Sequence, residues 1–162
     1  MKNHLTISCH NEIGFKYNLG KAILLSEIRF WNQSKIDTST LKYGLPLVYF
    51  SSKALNEKIT SINGNTIKRY LKQLTTDGIL FDCIANTMQR DITKSYLVNF
   101  AKYDSILDGI EYPISENERF KAICNEAIKD KKDSKNLNES ILPFLNVQID
   151  HSKALNGQKV PL

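Results

Sequence analysis

Cysteine is scarce in this chain. Cys9, Cys83 and Cys124 are the only three in 162 residues, too few and too scattered for a disulfide framework. The three histidines, His4, His10 and His151, bear no ligand spacing to them, and adjacent Cys9-His10 is poor geometry for one metal, so no zinc site is expected. Glycine is also sparse, at 7 residues. Gly64 stands alone between Asn63 and Asn65, which excludes a glycine-rich phosphate loop. No long apolar run appears, so neither a signal peptide nor a membrane span is expected, and the reading is of a cytoplasmic protein. Paired carboxylates are missing: Glu116 and Glu118 belong to a helix start, and Asp104 with Asp108 lacks the rest of a magnesium cluster. Nothing recommends Cys9 as a nucleophile. The chain therefore reads as a non-enzyme that needs no cofactor.

What the chain does have is enough apolar material for a core, 41% of its residues, and a formal net charge of +5. The charge is unevenly spread. Residues 44–100 carry Lys53, Lys58, Lys68, Arg69, Lys72, Arg90 and Lys94 against Glu57, Asp77, Asp82 and Asp91. A basic excess in one segment suits a polyanionic partner.

Residues 4–17 are ambiguous, fitting a short strand near Leu5 and a short helix broken at Gly14. From Leu19, the apolar residues Ala22, Ile23, Leu24, Ile28, Phe30 and Trp31 fall at helical spacing, and this helix should stop at 32–35. Trp31 and Phe30 are read as core fillers. Gly44 and Pro46 break the chain before a strand at 47–50, anchored by Tyr43, Tyr49 and Phe50. Ser51 or Ser52 caps a helix with Leu55 and Ile59 inward, and Ile62 plugs a tight turn. Asn65 or Thr66 caps a second helix, with Ile67, Tyr70, Leu71 and Leu74 on one face and Gly78 ending it. Strands at 79–84 and 95–99 then pair across a polar loop at 86–94, with Cys83 a buried thiol. Residues 104–112 read as a connector. Pro113 and a capping box of Ser115 and Glu118 start another helix, which fades into a charged run at 129–135. A last apolar patch covers 141–149.

The order helix, strand, helix, tight turn, helix, hairpin is that of a winged helix-turn-helix, a module that presents its second turn-linked helix to the DNA major groove. That helix's outer face holds Asn65, Arg69, Lys72 and Thr76, with Lys68 and Gln73 at its edges and no acid before Asp77. Arg69 has the fork geometry for guanine, and Asn65 and Gln73 that for adenine; Lys68 and Lys72 suit phosphates. Ser61 and Thr66 can donate to phosphate near the helix start. Gln89, Arg90 and Lys94 in the hairpin loop can follow the backbone or enter a minor groove. The competing reading is a solvated surface helix on a module that docks a host or phage protein without DNA.

The segment from Leu19 to Trp31, together with Thr66-Ile67-Lys68-Arg69, Leu71, Leu74, Gly78-Ile79-Leu80 and Ser95-Tyr96, resembles winged-helix proteins of phages and mobile elements over about residues 13–100. The resemblance implies double-stranded DNA as partner, with contacts from Thr66, Lys68, Arg69 and Lys72. It also implies a role in replication initiation or transcription control, beside a replication or host protein. The expected fold is thus α+β: a winged helix-turn-helix domain over 1–103 with a helical extension over 104–162. The extension's stripe, Phe120, Ile123, Cys124, Ala127 and Ile128, with Phe144 beyond it, is expected to form a homodimer, since the charged run lets it reach away from its own domain.

Overall fold

The computed structural model describes residues 8–85, 93–131 and 135–146. Among them run α1 (Asn11–Lys16), α2 (Leu19–Asp37), β1 (Val48–Tyr49), α3 (Ser52–Lys58), α4 (Gly64–Asp77), β2 (Leu80–Cys83), β3 (Ser95–Val98), α5 (Phe100–Leu107), α6 (Ile114–Asp130), a 3₁₀ turn (Glu139–Ile141) and α7 (Leu142–Leu145). The class is α+β, with seven α-helices among the described residues around one three-stranded antiparallel sheet of order β1-β3-β2. Leu80 faces Val98 and Cys83 faces Ser95, while Val48 faces Tyr96.

Helix α2 runs past its expected stop. Asn32 does not end it but lies fully buried on the stripe set by Leu25 and Ile28. Its side chain joins the helix to the sheet. The β1–β3 register places Pro46 opposite Val98, one rung beyond the end of β1. The Asn32 amide fills that rung. Its Nδ2 donates to the carbonyls of Pro46 (2.7 Å) and Tyr96 (3.0 Å), and its Oδ1 accepts from the Val98 N–H at 3.0 Å. One side chain thus satisfies the Val98 N–H and the Pro46 carbonyl, and gives the Tyr96 carbonyl, already paired with Val48 in the ladder, a second donor.

Side chains alternate across the strands, so Phe81 shares a sheet face with its partner Leu97, and both are buried. The C-terminal segment covers that face. Phe120 of α6 meets the Phe81 ring edge-on at 6.3 Å, and Phe144 of α7 meets Phe120 at 5.5 Å. The Asn138 N–H also donates to the Gly44 carbonyl at 2.9 Å, tying the segment to the loop before β1. Helices α2 and α4 pack against β3 and β2 from within the same core. This corrects the stripe assigned to a second subunit. Phe120, Ala127 and Phe144 are buried within the chain, and Ile123 and Ile128 are half-buried against the same core. The Phe81–Leu97 face of the sheet is apolar, and the chain's own C-terminal segment removes it from water.

Other boundaries shift for local reasons. Asn99 caps α5, accepting from the Lys102 N–H at 3.1 Å, so part of the expected connector is helix and the expected domain boundary at Tyr103 falls inside it. Helix α6 begins at Ile114, with the Pro113 carbonyl accepting from Glu116 and Asn117; Ser115 lies inside the first turn and forms no capping box. Ser51 caps α3 and Gly78 ends α4 with φ +93°, both where the sequence placed them. Phe30 is 63% exposed and fills no core, Tyr49 is exposed, and Trp31 is half-buried. The segments near Leu5 and beyond Asn146 lie outside the described residues.

Replacing Asn32 with Ala leaves the Val98 N–H and the Pro46 carbonyl without this partner. We expect a loss of about 3 kcal/mol in urea unfolding, since a buried unsatisfied group costs about 1–3 kcal/mol. Asn32→Asp should cost at least as much, because a carboxylate cannot donate to either carbonyl. A change below about 1 kcal/mol for both would show that the rung is dispensable.

Candidate nucleic-acid interface

Helix α4 is set by its two ends and its inner face. Ile67, Leu71 and Leu74 are buried, repeating at three and four residues, so they form one stripe against the core. Asn63 is the N-cap, accepting from the Asn65 N–H at 2.8 Å, so Asn65 and Thr66 sit in the first turn and neither is the cap. The Asn56 side chain donates to the Ile62 carbonyl and fixes the turn between α3 and α4.

The C-terminal end is bound more tightly. Lys102 of α5, nearly fully buried, reaches the Asp77 carbonyl at 2.8 Å and the Asp77 carboxylate at 3.1 Å. A cation there also complements the negative end of the helix dipole. The Tyr17 phenol donates to the same carboxylate at 2.7 Å. Burial first, then the hydrogen bond and charge of Asp77, pushes the Tyr17 phenol above its ordinary range, so it remains a donor at neutral pH. The one acid at the end of the outer face is thus paired, although it stays exposed.

The start of α2 lies along the side of α4. A Cβ built on Gly20 would stand 2.7 Å from the Tyr70 ring, so glycine is what allows this approach. Lys21 sits 5.5 Å from the centre of that ring and the Arg69 guanidinium 5.6 Å. One aromatic ring therefore steadies a cation from each helix.

On the outer face, Asn65, Lys68, Arg69, Lys72, Gln73 and Thr76 are all exposed, as is Ser61 in the turn; Thr66 is half-buried. No acid among the described residues lies within ion-pair reach of Lys68, Arg69 or Lys72. Thr75 and Thr76 both donate to the Lys72 carbonyl, at 2.8 and 2.9 Å. The α4 residues assigned to DNA from the sequence thus share one surface. Lys94 is exposed but pairs with Asp82 across the hairpin at 3.0 Å, and Gln89 and Arg90 lie outside the described residues. Lys58 is also withdrawn, lying 4.6 Å over the Trp31 ring and 3.9 Å from Glu27.

Sequence reasoning missed Asn32, Gly20, Tyr17 and Lys102. Two carried a signal: a polar residue at an apolar-stripe position for Asn32, and a glycine in the first turn of a helix for Gly20. Lys102 and Tyr17 gave none, because their partner lies far along the chain. No group of three or more His, Cys, Asp or Glu converges for a metal among the described residues. Burial, reinforced by Asp82, pushes the Cys83 thiol up to about 12, so it stays protonated at neutral pH. Among the described residues no helix is long and apolar enough to cross a membrane. No family model, curated protein or solved structure matches the chain.

Gly20→Ala should destabilise the chain by about 1–2 kcal/mol, the range for overpacking a filled contact. In a Tyr70→Ala background the same change should become neutral or stabilising, because alanine is the better helix former. Thermal or urea unfolding of the four proteins of this cycle checks it. An equal cost in both backgrounds would mean that the ring does not set the approach of the two helices.

Proposed function

We propose that this chain is a winged helix-turn-helix protein that binds double-stranded DNA through the outer face of α4. One observation carries the reading: Lys68, Arg69 and Lys72 stand exposed with no neighbouring acid, while the Asp77 carboxylate that follows them is engaged by Lys102 and Tyr17. The element order α2-β1-α3-α4-β2-β3 and the strand order β1-β3-β2 support it, since they match the order expected of that module. At 14 residues α4 is about 21 Å long, enough to lie in a major groove about 12 Å wide.

The roles divide by chemistry. Arg69 carries a fork of donors that fits the O6 and N7 of guanine, and Asn65 and Gln73 carry amides that fit adenine. Lys68 and Lys72 neutralise phosphates, with Ser61 and Thr66 donating to the backbone beside the start of the helix. Lys94 reaches the backbone by exchanging Asp82 for a phosphate. That exposed pair is worth about 0–1 kcal/mol, so the exchange costs little. The biological setting, replication initiation or transcription control in a phage or mobile element, rests on the sequence resemblance alone.

Fluorescence anisotropy with mixed-sequence and site-selected duplexes over a salt series tests the reading. Affinity should fall steeply with salt, by a log–log slope of about −0.9 for each phosphate neutralised. Lys72→Ala should weaken both duplexes alike and reduce the slope by about one unit. Arg69→Ala should cost about 1–3 kcal/mol on the selected site and less on mixed DNA. A flat salt response, or no loss from either change, would remove α4 as the DNA-binding element.

A further inference from the structure

Two free thiols lie one step beyond the aromatic contact that joins α6 to the sheet. Side chains alternate along β2, so Cys83 shares the sheet face of Phe81, the face that α6 covers. On α6, Cys124 follows Phe120 by four residues, and both are buried on the stripe turned to the core. Strand and helix advance in the same direction. Asn117 comes within 3.1 Å of a Cβ built on Gly78, and further along both elements Phe120 meets Phe81. The next step is about 7 Å along the strand and about 6 Å along the helix. The register that seats Phe120 on Phe81 therefore brings Cys124 toward Cys83.

The electrostatics agree with that register. Burial raises the Cys124 thiol above its ordinary range, and the neighbouring Cys83 raises it further. Cys83 is half-buried and packs against the same core. Cys9 belongs elsewhere, in the groove lined by His10, Arg29 and Tyr103.

We propose that Cys83 and Cys124 form a redox-sensitive pair, closing to a disulfide that fastens α6 to β2 when the surrounding thiol pool is oxidised. The oxidant is a small disulfide. Half-buried Cys83 gives up its proton, and its sulfur attacks one sulfur of that molecule; the S–S bond breaks and one thiol leaves, carrying a proton. Cys124 then gives up its proton and attacks the Cys83 sulfur, releasing the second thiol. Two protein thiols lose two electrons, and one small disulfide becomes two thiols.

Proximity favours the second step, because both sulfurs are held beside one packed contact. The first step is slow, since burial and the Asp82 charge push the Cys83 thiol up to about 12 and the thiolate is the attacking form. The pair therefore answers the standing poise of the thiol pool rather than a brief pulse of oxidant. The bond locks the C-terminal segment onto the Phe81 face of the sheet. No residue of the outer face of α4 takes part, and the pair does not depend on DNA binding.

The full chain is equilibrated at mildly alkaline pH in glutathione buffers from fully reduced to fully oxidised, then read by intact mass, peptide mapping and thermal unfolding. In oxidised buffer the map should show Cys83 joined to Cys124 within one chain, whether or not Cys9 carries glutathione. The Cys9→Ser chain should lose two hydrogens and gain nothing. The melting temperature should rise by about 5 °C or more, since the bond closes a long loop. Amide exchange in α6 should slow by about tenfold, the mark of a segment that opens less often. Cys83→Ser and, separately, Cys124→Ala should each abolish the bond and the temperature rise, and an amide spectrum of the reduced variants confirms that they are folded. Cys83→Ser, at the half-buried position, decides the matter even where Cys124→Ala does not fold. Cys83 left as a mixed disulfide beside a free Cys124, a bond that includes Cys9, a bond formed only in urea, or an oxidised form less stable than the reduced one would overturn the proposal.

Discussion

One buried amide holds the architecture in register. Strand β1 is two residues long, and its direct pairing with β3 stops short of the rung formed by Pro46 and Val98. A sheet so short would end with the Val98 N–H and the Pro46 carbonyl stranded in the core. Asn32 closes that gap from a neighbouring helix, and in doing so fixes the rotation of α2 about its own axis. A buried amide with three partners tolerates little error, because every misplacement leaves a polar group unsatisfied. The orientation of α2 then passes outward to α4 through the close approach of Gly20 to Tyr70.

Helix α4 is thus positioned by constraints that leave its outer face alone. Its first turn is capped by Asn63, its inner stripe is buried, and its last turn is clamped by Lys102 and Tyr17 on Asp77. The ends are held while the middle remains exposed, which suits a rigid element that must meet a surface of fixed shape. The C-terminal segment serves the same end from the far side. By placing Phe120 and Phe144 over Phe81, it gives the small sheet a second covered face, so the strands that carry the hairpin are packed on both sides.

Much of this was legible in the sequence, and the limits have physical causes. The stripe Ile67, Leu71, Leu74, the cap at Ser51 and the left-handed Gly78 are local signals, and each appears where it was read. The α4 face Asn65, Lys68, Arg69, Lys72 and Gln73 was legible for the same reason, since helical periodicity alone decides which residues share a surface. What failed was long-range or a contest between neighbours. Asn32 looked like a helix stop because its partners lie 14 and more residues away, where no spacing rule reaches. Asn99 looked like the end of a strand, but β3 stops at Val98 and the Asn99 side chain starts α5. Lys94 looked free because Asp82, opposite Tyr96, comes within its reach only after the hairpin has closed. The stripe on α6 showed that something must cover it, and periodicity carries no information on whether that cover comes from the same chain.

The central proposal is that α4 offers its outer face to a DNA duplex, with Ser61 and Lys94 beside it on the backbone. Backbone amide chemical shifts of the ¹⁵N-labelled chain, recorded with and without a mixed-sequence duplex at low salt, address it directly. The account predicts that shifts concentrate at Ser61 and along Asn65, Lys68, Arg69, Lys72, Gln73 and Thr76, with the amides of Asn32, Phe120 and Phe144 unmoved. Shifts confined to α6, or to the far side of the sheet, with α4 silent, would contradict it.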